Sequence, residues 1–135
     1  MNAAALVPVH AWIVPGALAI AEQTFGANHL NVASSLNNLA EIYRMLNRPE
    51  QAEPLYQRAM LVAERSMGSE STLLAAALNN LAELYRSKKD YTSAEPLYRR
   101  SMQIREKALG GESADLAQSL NNLALLFAEQ QRFWT

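Results

Sequence analysis

The residues able to do covalent or metal chemistry are few and scattered. The two histidines, His10 and His29, each lack a second histidine or a carboxylate one helical turn on, so neither starts a metal site. Ser71 and Ser113 have no histidine in a triad-like arrangement. There is no cysteine, which excludes a thiol nucleophile, a disulfide scaffold and Cys-ligated zinc. No Gly-rich phosphate loop is present. The chain is therefore read as a non-enzyme, with no cofactor and no metal. What the sequence does repeat is a set of side chains suited to binding. Asn37, Glu41 and Arg44 fall at i, i+4 and i+7, one stripe of a helix, and Asn79, Glu83 and Arg86 repeat it. A third stripe, Asn121, Leu125 and Ala128, exchanges the charges for apolar groups.

Two readings stand for these polar residues. Asparagine is a poor helix former because its side chain competes for the backbone, yet six of the ten asparagines form mid-helix pairs. Their amides could hold a peptide backbone, or they could form a ladder that sets the register between repeats. If the roles divide within a pair, Asn37, Asn79 and Asn121 should be the more exposed and Asn38, Asn80 and Asn122 the more packed. Arg44 and Arg86 could hold ligand carboxylates, as guanidinium geometry favours. Alternatively each pairs along its own helix with Glu41 or Glu83, three residues before.

The elements that must position these stripes follow from an internal repeat. Leu36-Asn37-Asn38-Leu39-Ala40 recurs as residues 78–82 and again as 120–124, a step of 42 residues. Ala52-Glu53-Pro54-Leu55-Tyr56 recurs as 94–98, and Gly26, Gly68 and Gly110 keep the same step. Residues 33–74 and 75–116 share 21 identities in 42 ungapped positions. Each unit reads as two helices. The first carries Leu36, Leu39, Ala40 and Tyr43 on its apolar face, matched by Leu78, Leu81, Ala82, Tyr85 and by Leu120, Leu123, Ala124, Phe127. The second carries Ala52, Leu55, Tyr56, Ala59 and Val62, and a glycine in the left-handed region ends it. Pro54 and Pro96 imply a second helix that either starts after Glu50 or bends near its start.

The positions Leu39, Ala40, Tyr43, Ala52, Tyr56 and Ala59 resemble the tetratricopeptide repeat. Leu81, Ala82, Tyr85, Ala94 and Tyr98 repeat them, with Ser101 in place of the last alanine. The 42-residue period and the strings LNNLA and AEPLY are similar to the kinesin-light-chain type. The resemblance implies an all-α fold, a right-handed α-solenoid of antiparallel helix pairs with about six helices. It divides a single repeat domain, 1–135, into a partial repeat 1–29, repeats 30–71 and 72–113, and a truncated repeat 114–135. It also implies a concave groove lined by the first helix of each repeat. The groove positions are then Asn37, Glu41, Arg44, Asn79, Glu83, Arg86, Asn121 and Leu125, edged by Ser34, Asn38, Ala76, Asn80, Gln118 and Asn122. Grooves of this type are associated with peptides that combine acidic residues with an aromatic one. No motor or coiled-coil segment accompanies the repeat.

Composition agrees with this frame. Alanine and leucine supply about a third of the residues, which favours helix. The formal net charge of −1 argues against nucleic acid as a partner. The stretch before Glu22 is apolar, but no Lys or Arg precedes it and Pro15 interrupts it, so a helix remnant is favoured over a secretory signal and a membrane span is not expected. The chain is read as cytoplasmic. Its expected function is a scaffold that binds a peptide or partner protein. The alternative is a structural piece of a longer array that self-associates through exposed terminal helices, where Leu126, Phe127, Phe133 and Trp134 would lie open.

Overall fold

The computed structural model describes residues 10–109 and 113–134. Six helices run α1 (His10–Phe25), α2 (Leu30–Met45), α3 (Pro49–Met67), α4 (Thr72–Ser87), α5 (Tyr91–Leu109) and α6 (Ala114–Trp134). No strand occurs among the described residues.

Each first helix begins at a side chain that caps it. His29, Ser71 and Ser113 stand one period apart. His29 Nδ1 accepts the Asn31 N–H at 3.1 Å, and the two serine Oγ atoms accept the Leu74 and Leu116 N–H groups, each at 3.1 Å. Each cap satisfies an N–H that the first helical turn leaves unpaired. The two serines thus have a structural role, and the His29 ring stacks on Phe25 with centroids 4.6 Å apart.

The chain leaves α1 and α3 through Gly26 and Gly68 at φ +87° and +92°, as expected of a glycine in the left-handed region. Their N–H groups bond Glu22 O at 3.0 Å and Glu64 O at 2.9 Å. Gly110 lies outside the described residues. After α2 and α4 the same geometry falls on Asn47 (φ 59°) and Lys89 (φ 63°). Arg48 N–H reaches back to Tyr43 O and Asp90 N–H to Tyr85 O, both at 2.9 Å, which is the Schellman pattern. Asparagine tolerates this backbone better than lysine, because its short polar side chain can hydrogen-bond locally and offset the crowding of Cβ against the carbonyl. Lys89→Gly is therefore expected to stabilise the fold by about 0.5–1 kcal/mol, against a smaller gain for Asn47→Gly, as read from urea unfolding midpoints.

The late start considered for the second helix is corrected. The helix α3 begins at Pro49, where a missing N–H costs nothing, and Pro54 lies inside it. Pro96 occupies the same place inside α5. Each removes one i→i−4 bond, from Pro54 to Glu50 and from Pro96 to Thr92, and the tertiary packing of the helix offsets the loss.

The chain divides into two compact units, residues 1–62 and 63–135, with the boundary inside α3. In the first, α1 packs on α2, and Ala21, Val32, Leu36, Ala40 and Tyr56 are among its buried residues. In the second, α5 packs against both α4 and α6. Ala82, Ala94, Tyr98, Leu123 and Leu126 form one cluster there, edged by Tyr85, Tyr91, Leu97 and Met102. The apolar face expected for α6 is corrected. Leu123 is buried, but Leu120 and Phe127 are 51% and 40% exposed, Ala124 is exposed, and the buried side carries Leu116, Ser119, Leu123 and Leu126. In α4 the face of Ala82 is covered by Ala94 and Tyr98 of α5. The matching face of α6 has no second helix over it among the described residues. Leu126, expected to lie open, is fully buried, and the side chains of Phe133 and Trp134 lie outside those described.

Candidate functional site

In the unit of residues 1–62, the stripe on α2 is tied to α3 by one tyrosine. Arg44 Nε donates to Glu41 Oε2 at 3.2 Å, and its Nη2 makes a second, short bond to Glu41 Oε1. Tyr56 OH donates to Glu41 Oε2 at 2.7 Å. Tyr56 is fully buried, as are Ala40, Ala52 and Ala59. The Arg44 guanidinium, opposed by partial burial and helped by Tyr56, holds the Glu41 carboxyl below the usual carboxylate range. Hydrogen bonding to Glu41 raises Arg44 in turn, and burial raises the Tyr56 phenol.

A pH dependence follows. The depressed Glu41 value means its contribution is present above the unfolded carboxylate pKa of about 4.3 and is lost as pH falls through the lower folded value. Glu41→Gln is expected to show a shallower fall in melting temperature between neutral and strongly acidic pH than the unsubstituted chain. Equal slopes would remove the pair from acid stability.

In the unit of residues 63–135 the same residue types are wired differently. Arg86 does not pair with Glu83. Its Nη1 donates to Glu129 Oε1 on α6 at 2.9 Å and its Nε to Tyr98 OH at 3.2 Å. Burial opposes the Arg86 charge, while the Tyr98 hydroxyl and the Glu129 carboxylate outweigh it and raise its pKa. Burial pushes the Tyr98 phenol up, against the pull of Arg86. Two turns earlier, Asn122 Nδ2 donates to Asn79 Oδ1 at 3.0 Å, a rung between the two first helices. Glu83 and Leu125, one period apart, lie on the stretch of α4 and α6 that these two bonds bracket.

The exposure expected within the asparagine pairs is corrected in the first two units. Asn79 is buried and Asn80 only partly so, while Asn37 is half-buried and Asn38 exposed. The reason at Asn79 is its rung to Asn122, which draws the amide into the packed side of α4. Asn37 Oδ1 is shielded from solvent and accepts no hydrogen bond. Only in the third unit does the order hold, with Asn121 exposed and Asn122 partly buried.

Sequence reading missed Glu129, Ser101 and Arg105. Ser101 Oγ, fully buried, donates to Ala75 O at 2.7 Å. Arg105, 7% exposed, donates through Nη1 to Ser119 Oγ at 2.8 Å, and to Asp115 O and Gln118 Oε1 at 3.4 Å. A signal was available in the departures from the period. Ser101, Arg105 and Ser119 stand where the preceding unit has Ala59, Ala63 and Ala77. Three basic residues outside the stripes pair on the surface, Arg99 with Glu95 at 3.2 Å, Arg100 with Glu64 at 3.7 Å and Lys107 with Glu70 at 3.0 Å. Exposed pairs of this kind contribute little. Among the described residues no group of His, Asp or Glu is placed to hold a metal ion, and no helix is long and apolar enough to cross a membrane.

The tetratricopeptide repeat model matches residues 15–65 and 73–135. Among solved structures, BtubC (BKLC) from P. vanneervenii is 32% identical with a TM-score of 0.80, over 90% of this chain and 48% of its own. A kinesin-light-chain-type protein of Podosopora anserina with nearly identical TPR-like repeats is 22% identical with a TM-score of 0.76, over 84% of this chain and 54% of its own. The chain thus spans about half the length of the structures it matches. No curated protein matches it in sequence.

Proposed function

The chain belongs to the tetratricopeptide repeat family, and from that premise we propose that it captures a peptide or partner protein on the faces of its first helices and performs no chemistry on it. Repeats of this family are in general protein-interaction scaffolds, which supports the premise. The observation that carries the proposal is the anchoring of Arg44 and Arg86. Each guanidinium is held beside a buried tyrosine and a carboxylate, yet its side chain is 35% or 24% exposed. Side chains fixed before the ligand arrives lose less entropy on binding. The proposal takes 30–71 and 72–113 as full helix pairs within one repeat domain and places the module in the cytoplasm.

The finer reading is an acidic, aromatic-containing ligand on Asn37, Arg44 and Arg86. Arg44 gives Nε and Nη2 to Glu41, which leaves the Nη1 donors for a ligand carboxylate. Titration of a labelled acidic, aromatic peptide against the chain and its Arg44→Glu/Arg86→Glu variant tests this. Loss of binding in the variant supports the arginines, and equal affinity removes them. Asn79, buried in its rung, serves register, so Asn79→Ala should lower stability.

A second reading is favoured by the open face of α6, where Leu120 and Phe127 are exposed with Arg99 5.5 Å from the Phe127 ring. Self-association through that face predicts a mass that rises with concentration in light scattering. A concentration-independent monomer would sink it.

A further inference from the structure

The charges on the first-helix face of residues 63–135 do not balance. Three ionisable side chains meet there: Glu83, Arg86 and Glu129. Arg86 is committed to Glu129 by a 2.9 Å ion pair and to Tyr98 by a 3.2 Å hydrogen bond. Glu83 takes part in no hydrogen bond or ion pair among the described residues. One cation and two carboxylates leave one negative charge, and it resides on Glu83, close enough to Tyr98 to bear on that phenol.

An apolar residue, Leu125 of α6, stands one period on from Glu83. The rung from Asn79 to Asn122 lies one turn before them, and the pair from Arg86 to Glu129 one turn after. The spacing puts Glu83 with Asn79 and Arg86 (i, i+4, i+7), and Leu125 with Asn122 and Glu129 (i, i+3, i+7). Both clasps join α4 to α6 and bracket the stretch that carries the carboxylate and the leucine. Leu125 is 43% exposed, whereas Leu123 and Leu126 on either side of it are buried.

We infer that this face binds a basic–apolar peptide segment, with a lysine or arginine of the ligand on the Glu83 carboxylate and an aliphatic or aromatic side chain of the same segment on Leu125. The inference rests on the reading of the first-helix faces as peptide-binding surfaces. It adds to the acidic ligand expected at Arg44 and Arg86 a second segment of opposite charge, because Glu129 pairs with Arg86 and leaves the Glu83 carboxylate without a cation among the described residues of this unit. Charge complementarity governs the choice of ligand, and the leucine supplies area that a salt bridge at a wet surface lacks.

The test is a hexapeptide array in which one position at a time is fixed and the others are randomised, probed with the purified chain, Glu83→Lys, Glu83→Gln and Leu125→Ala. Circular dichroism checks that each variant is folded. Neither side chain makes a structural bond, so folding should survive. The unsubstituted chain should enrich Lys or Arg beside Leu, Ile or Phe. The Glu83→Lys variant should turn that selection toward Asp and Glu, and Glu83→Gln should erase it. Leu125→Ala should remove the apolar preference alone. The best basic–apolar hexamer should bind Glu83→Lys at least about tenfold more weakly, and raised salt should weaken its binding to the unsubstituted chain. Selection of acidic peptides with no basic–apolar set beside them overturns the inference and leaves the peptide-binding reading intact. An unchanged basic preference in Glu83→Lys overturns it as well. Selection of no peptide at all overturns both.

Discussion

Replacing Tyr98 by alanine is expected to lower the unfolding free energy of the chain by about 3–5 kcal/mol, as urea or thermal unfolding would register. The ring is fully buried where three helices meet, in contact with Ala82 of α4, Ala94 of its own helix and Leu123 and Leu126 of α6. Those neighbours are small or already packed, so they cannot close over the space. A cavity of aromatic size remains, and its walls lose dispersion contacts as well as the transfer energy of the ring. The hydroxyl matters less. Tyr98→Phe keeps the ring and removes only the 3.2 Å bond from Arg86 Nε, while Arg86 keeps Glu129. That variant should cost about 1 kcal/mol. The two variants should also separate in alkali. Burial raises the folded Tyr98 value, so its contribution is complete below about pH 10 and is lost as pH rises through the folded value. Tyr98→Phe should soften that alkaline loss. Equal costs for the two substitutions would mean that the hydroxyl, rather than packing, holds the cluster.

The tyrosine also shows which parts of the molecule were legible in the sequence. Its burial could be read directly, because a 42-residue step places Tyr56 and Tyr98 on the apolar stripe of a second helix. Periodicity reports the facing of a helix, and facing decides burial when neighbours are also periodic. The helix starts were marked by Ser71 and Ser113, yet a serine before a helix looks the same in sequence whether it caps or reacts. The partners of Arg86 were not legible. Glu83, three residues away, was the nearest carboxylate by sequence, and the structure uses Glu129, forty-three residues on. An ion pair is decided by where two flexible side chains can both reach, which the period of either helix leaves open. Asn79 turned inward for a related reason. The bond to Asn122 needs two helices at once, and helical spacing alone could not choose between Asn79 and Asn80. The face of α6 was misread because the apolar pattern of Leu120, Ala124 and Phe127 is identical to that of its equivalents. Exposure there depends on the absence of a covering helix among the described residues.

Where the repeat breaks its own pattern, the consequences for stability are large. Arg105 and Ser119 occupy a position where the preceding unit has Ala63 and Ala77, and the guanidinium is buried against neutral acceptors, the Ser119 hydroxyl at 2.8 Å foremost. Burying a cation this way costs desolvation that only well-placed acceptors offset. Removing one partner is therefore expected to be worse than removing both. Ser119→Ala takes away the closest acceptor and leaves a buried N–H poorly paired, at about 2–3 kcal/mol. Arg105→Met keeps most of the aliphatic stem but strands the Ser119 hydroxyl, at about 1–2 kcal/mol. The double variant Arg105→Met/Ser119→Ala replaces the polar contact with an apolar one of similar volume, and it should lie within about 1 kcal/mol of the unsubstituted chain. Such a favourable coupling energy in a double-mutant cycle would identify the arginine as tolerated by its acceptors rather than stabilising in itself. Strictly additive losses, about 3–5 kcal/mol in the double variant, would instead mean that α5 and α6 depend on the guanidinium as a strut with contacts beyond Ser119.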